Sequence, residues 1–198
     1  MFGTLLKVLM YVMAQAVVPI EEIEEPLVTK VWTPTMEKFA RSAEREYDLP
    51  TGICRAFALQ ESGYNPIAER VEANYVEKTG TYAARVRADA YKFAKARNWQ
   101  PSVLTEIYQR GKSVTLFQIM GVNMRDMGYD EPFLNHVALT DQFKYFGIFV
   151  SRLLKKHKGN LGFAASEYNG GGGAVRGGNY RNPEYVKNIL RYRQRFAY

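Results

Sequence analysis

The stretch AFALQESGYNP (residues 56–66) places a glutamate, Glu61, directly after an apolar run. On a helix Glu61 points within about 20° of Cys54 and roughly 40° of Phe57. Ile53, Cys54, Phe57, Ala58 and Glu61 then share one stripe that is otherwise apolar. A carboxyl group there, near a helix C-terminus, is destabilised as an anion by desolvation and by the helix dipole. Both effects raise its pKa. A neutral carboxylic acid near pH 6–7 is what protonating a leaving oxygen requires. The plain alternative is a solvated helix end.

Other chemistries are poorly supplied. The chain has one cysteine, Cys54, and two histidines, His136 and His157. No internal disulfide is possible, and no zinc-ligand spacing can be written. A His-based triad lacks material, and Cys54 lies on the apolar stripe as a buried, inert thiol. RGKSVT (Arg110–Thr115) contains Gly-Lys-Ser, but a phosphate loop needs a glycine where Glu106 stands. The glycines 170–173 could cradle phosphate, yet no Lys-Ser/Thr follows them, and a tightly turned or flexible loop is the ordinary reading. No metal or organic cofactor is called for.

The elements that must position Glu61 are mainly helical. Thr33 as N-cap with Pro34 at N1 opens a helix that Pro50 closes, with Phe39, Ala43 and Tyr47 on its inner stripe. PTGICRAFALQES follows as the helix bearing Glu61, and Gly63 is its stop. TDQFKYFGIFVSRLLKKHKG is the clearest core helix, with Phe143, Phe146, Gly147, Val150, Leu153 and Leu154 inward, Thr140 as its cap and Gly159 at its end. FAASEYN and NPEYVKNILRYRQRF supply two more. Alternating strand patterns are scarce.

The 198 residues are 46% hydrophobic, enough for one domain with a core, and 27 Lys+Arg against 20 Asp+Glu give a net charge of +7. That balance favours an anionic partner: nucleic acid, acidic lipid or the carboxylate-bearing bacterial cell wall. Residues 1–20 are apolar with one charge, Lys7. They fit a signal peptide with Ala14-Gln15-Ala16 as cleavage site, a membrane anchor, or a helix packed on the domain or on a partner. An acidic linker, residues 21–26, leads to a domain over 27–198.

Read in order, ALQESGYNP, SVTLFQIM, ASEYNGGGGAV and PEYVKNILRY resemble the soluble-type lytic transglycosylases, which share the goose-type lysozyme-like fold. Glu61-Ser62 matches the family's Glu-Ser pair. Thr115-Leu116-Phe117-Gln118 corresponds to its Gly-Leu-Met-Gln stretch, and Glu167-Tyr168-Asn169-Gly170-Gly171 to its Ala-Tyr-Asn-x-Gly. Tyr185-Val186 matches its closing Tyr-Val pair. The resemblance covers roughly residues 35–68 and 112–195. Thr115 and Phe117 replace the family's Gly and Met, and Glu167 stands where alanine is usual. Residues 69–112, with nine basic and five acidic side chains, read as an inserted helical region lining or covering the cleft. Within them, ERVEANY echoes the Arg-aromatic-Glu-Pro stretch of phage-borne members, with Val71 in the aromatic position.

The resemblance implies cleavage of the β-1,4 bond between N-acetylmuramic acid and N-acetylglucosamine in peptidoglycan glycan strands, with Glu61 as the one catalytic acid and a 1,6-anhydro product. Tyr168 and Tyr185 could hydrogen-bond to Glu61 or sugar, or pack in the core. Gln118 suits an N-acetyl group, Asn169 shapes the glycine turn or touches substrate, and Ser62 supports Glu61 or nearby backbone. A hydrolytic muramidase would need a second carboxylate, for which Glu72 and Glu167 are candidates.

Two other classes stay open. One is an inactive lysozyme-like structural or binding protein of a phage particle or secretion assembly, docked through residues 1–20. The other is nucleic-acid binding through Arg191, Arg193 and Arg195 with Tyr192 and Phe196. An enzyme of this kind would act in the periplasm or cell wall, exported or delivered by a virion.

Overall fold

A computed structural model of the chain describes residues 30–72 and 81–197. The readings made for residues 1–26 lie outside the described residues, as does part of the insertion, 73–80. The described fold is mainly helical, with eight α-helices and two small sheets.

Helix α1 spans Pro34–Glu46, and Thr33 Oγ1 accepts the Met36 N–H at 3.2 Å, as a helix-start cap should. It ends at Glu46, four residues short of Pro50. Helix α2 spans Ile53–Ser62, and Gly63 closes it in the left-handed conformation, φ 60°. Its start is capped from outside: Glu44 Oε1 of α1 accepts the Cys54 N–H at 3.0 Å. Burial raises the Glu44 carboxyl and pushes the fully enclosed Cys54 thiol well up, which leaves it inert.

The central helix, α6, spans Leu139–Lys156 and buries Phe143, Phe146, Val150 and Leu153. It begins at Leu139 with Ala138 in the cap position, so Thr140 lies inside its first turn and does not cap it. A Cβ at Gly147 would fall 2.1 Å from the Tyr47 ring, so the glycine lets α1 and α6 close on each other. Phe117 stacks on Phe146 with ring centroids 4.0 Å apart, and Phe57 of α2 packs against the same ring at 5.3 Å. Burying each such side chain contributes about 1.5–3 kcal/mol. Helices α7 (Leu161–Gly170) and α8 (Pro183–Phe196) close the core, α8 lying along α2 through Val186 and Ile189.

A three-stranded antiparallel sheet joins Glu69–Val71 (β1), Lys112–Val114 (β2) and Ile119–Met120 (β3), with Arg70 opposite Ser113. The two ends of the insertion therefore meet: Glu72 N–H bonds to the Gly111 carbonyl at 2.9 Å. Between them stand helices α3 (Thr81–Ala96) and α4 (Val103–Arg110). Helix α4 is tied down by Glu106, which is fully buried. Its carboxylate accepts from Arg110 Nε at 2.8 Å, and from Arg125 of α5 (Gly121–Asp126) at 3.0 and 2.9 Å. A second, two-stranded sheet, Val175–Arg176 (β4) with Asn179–Tyr180 (β5), follows the glycine run, which is a tight turn closed by Ala174 N–H on the Gly171 carbonyl, 2.9 Å.

Candidate active site

Glu61 occupies the last turn of α2, half-buried, and its Oε1 accepts a hydrogen bond from the Tyr185 hydroxyl. Tyr185 comes from the first turn of α8, delivered there by the packing of α8 on α2. Burial pushes the Glu61 carboxyl from its ordinary 4.5 up to about 7, against the opposing pull of the Tyr185 bond and of the Arg70 charge. The expected acid chemistry thus has a physical cause in place. The Tyr185 hydroxyl is itself pushed well up, by burial and then by the Glu61 charge, so it stays a donor.

Tyr168 stands beside Tyr185 against the edge of Phe57, 4.7 Å between centroids. Its hydroxyl donates to the Phe117 carbonyl at 2.6 Å rather than to Glu61, although burial and then the Glu61 charge raise its pKa. Ser62 donates to the Leu116 carbonyl at 2.7 Å and to the Ala58 carbonyl at 3.2 Å, and accepts from the Asn65 N–H. Its hydroxyl is spent on backbone. Both residues therefore grip one turn, residues 115–118, between β2 and β3.

That turn carries Gln118. Its amide nitrogen donates to the Ala68 and Thr115 carbonyls at 2.9 and 3.0 Å. Both N–H donors are thereby used on backbone, and only its carbonyl oxygen is left to accept from a ligand. Thr115 sits at φ 75°, in the left-handed region, with its hydroxyl buried and without a partner among the described residues. A glycine would adopt that conformation without the strain a β-branched residue carries.

The two candidate second carboxylates are each engaged by cations. Glu167 faces the end of α6, bonded to Lys156 Nζ at 2.6 Å and His157 Nε2 at 2.7 Å. Burial raises its carboxyl, but those two bonds outweigh it and the net shift is downward. It is an ionised structural anion, not a partner of Glu61. Glu72 lies beyond β1, accepting at Oε1 from Arg70 Nε at 2.7 Å and from Ser113 Oγ at 3.1 Å. Asn169 is exposed and bonds to Asn182, the residue that starts α8, so it shapes the turn.

Sequence reasoning passed over Arg70, whose charge is the one cationic influence on Glu61 among the described residues. Its signal was only the weak ERVE echo. The C-terminal basic run is partly spoken for: Arg193 bonds to the Thr51 carbonyl, and Phe196 lies under Arg55 at 4.4 Å. A cavity of about 680 Å³ lined by Tyr47, Pro50 and Leu154 opens at the opposite end of α2 from Glu61. Among the described residues no cluster of three or more His, Cys, Asp or Glu could hold a metal, and no helix is long and apolar enough to cross a membrane. Comparison with protein-family models, curated proteins and solved structures gives no match to this chain.

Proposed function

We propose that the chain is a peptidoglycan lytic transglycosylase on a lysozyme-like helical domain, with Glu61 as its single acid–base group. The observation that carries this reading is the Glu61 carboxyl, half-buried at a helix end, raised to about 7 and held by Tyr185. The order of the four motif stretches along the chain adds to it.

Protonated Glu61 gives its proton to the glycosidic oxygen as the bond from C1 of the muramoyl residue breaks and an oxocarbenium-like state develops. The Glu61 carboxylate then takes the proton of the muramoyl C6 hydroxyl, whose oxygen closes on C1. The products are a free 4-hydroxyl and a 1,6-anhydro end, and no water is consumed. One carboxyl group suffices, in keeping with Glu167 and Glu72 being engaged by cations. Tyr185 orients the carboxyl, and Tyr168 and Ser62 fix the turn that carries Gln118. The substrate lies in the bacterial wall, so the enzyme acts in the periplasm, reached by export or in a virion.

Mass spectrometry of purified peptidoglycan digested by the chain, with Glu61→Gln as control, tests the reading. Anhydro-muropeptides that vanish with Glu61→Gln are expected. Reducing ends would make the protein a hydrolytic muramidase and turn attention to Glu72. No products from folded protein would leave the structural or binding role.

A further inference from the structure

The proposed reaction uses Glu61, Tyr185 and the 115–118 turn but gives no part to Arg70. Arg70 is the middle residue of β1, paired across the ladder with Ser113. Its Nε and Nη2 both meet Glu72 Oε1, at 2.7 and 2.6 Å. Ser113 Oγ donates to the same oxygen at 3.1 Å, and the Glu72 backbone is tied to Gly111. The guanidinium is thus held from one side, although the side chain is 69% exposed. A guanidinium has five N–H donors in a rigid fork. Nε and Nη2 are engaged, and among the described residues Nη1 meets no partner.

The strand also ties Arg70 to the turn beside the acid. Ala68, two residues earlier, accepts from Thr115 N–H at 2.8 Å and from Gln118 Nε2 at 2.9 Å. Ser62, the neighbour of Glu61, donates into that same turn. An exposed arginine held along one edge beside an acid site is suited to a planar anion. The net charge of +7 suits an anionic polymer, and the wall polymer carries its anions as carboxylates on the stem peptide or the lactyl group.

We propose that Arg70 is a binding residue for a carboxylate borne by the glycan strand next to the bond that Glu61 would cleave, with Glu72 and Ser113 as the positioning residues that hold it. This rests on the transglycosylase reading for its substrate. An exposed pair inside a strand could instead serve the fold alone, and the two differ in what they discriminate. Against a fold role, Arg70 has water on its outer side, where such pairs add little stability.

The test uses the full chain and two glycan preparations, one with free carboxylates and one with the carboxylates converted to neutral amides. Cleavage is measured for the wild type, Arg70→Gln and Arg70→Lys, and binding is measured on the Glu61→Gln background. The wild type is expected to favour the free-carboxylate strand by about tenfold, through KM rather than kcat. Arg70→Gln should bring that ratio to near one, and Arg70→Lys should restore part of it. A ratio unchanged in Arg70→Gln, or an equal loss on both strands, overturns the assignment. If the wild type cuts neither strand, the binding arm decides. A carboxylate preference that disappears with Arg70→Gln would uphold Arg70 while the transglycosylase reading falls. Absent or indiscriminate binding would overturn both.

Discussion

The Tyr185 hydroxyl, in the first turn of α8, donates a hydrogen bond to Glu61 Oε1, in the last turn of α2, and so joins two helices through residues 124 apart in sequence. That bond favours the ionised carboxylate, while burial favours the neutral acid, and burial wins. Removing the donor leaves burial less opposed. In Tyr185→Phe the pKa of Glu61 should therefore rise further, by roughly half to one pH unit for a lost bond of ordinary strength. A reaction that needs protonated Glu61 would then lose activity at higher pH than the wild type does. The pH–rate profile on glycan strands measures this, and a basic limb that stays in place would show that Tyr185 does not set the acid.

Glu61 also makes stability depend on pH. Its carboxyl titrates near 4.5 when unfolded and near 7 when folded, so between those values the folded state holds more proton. Stability should fall as pH rises from about 4.5 to 7 and level off above. The full shift corresponds to about 3 kcal/mol. Glu61→Gln removes the titration. It should abolish cleavage and yet unfold at higher denaturant than the wild type at pH 8, with the gap closing near pH 4. Equal stabilities across that range, measured by urea unfolding, would mean the carboxyl is better solvated than its surroundings suggest.

Much of this site is written locally. Glu61 was legible because its stripe, its helix and the closing Gly63 are consecutive in the chain, and helix period and cap chemistry act over a few residues. Tyr185 was named through the resemblance, as the tyrosine of the Tyr-Val pair that leads the last helix. The three-residue strands β1 and β2 are too short to show alternation, and they exist through a pairing that only the folded chain brings about. The part of Arg70 is hidden with them. Glu167 shares a motif with Tyr168, but one helical step, roughly 100°, turns it from the Phe57 side to the end of α6.

Glu106 holds the insertion to the rest of the domain by one buried carboxylate facing two arginines, Arg110 and Arg125. Arg125 further bonds to the carbonyls of Tyr129 and Glu131, at 2.9 and 2.7 Å. In Glu106→Gln both cations would stay buried without their counter-charge. Breaking such a network from one side destabilises by about 3–5 kcal/mol. A fall of that size in unfolding free energy is expected, with loss of activity on mild heating, because α4 leads directly into β2 beside Arg70. A change under 1 kcal/mol would place the carboxylate in water.

Thr115 offers a change in the opposite direction. A β-branched residue at φ 75° holds a strained backbone, costing on the order of 1–3 kcal/mol, and its hydroxyl is buried without a partner among the described residues. Glycine relieves both, against about 0.5–1 kcal/mol of added chain entropy in the unfolded state and the loss of the side chain's packing. Thr115→Gly should therefore stabilise the protein by about 1 kcal/mol, whereas Thr115→Ala, which keeps the strain, should gain less. The turn would still present the Leu116 carbonyl to Ser62 and the Phe117 carbonyl to Tyr168, so activity should persist. Urea unfolding of the two variants separates strain from the lone hydroxyl: if alanine gains as much as glycine, the hydroxyl alone accounts for the effect. If both lose stability, the threonine hydroxyl is satisfied in solution and the backbone at residue 115 carries no strain for glycine to relieve.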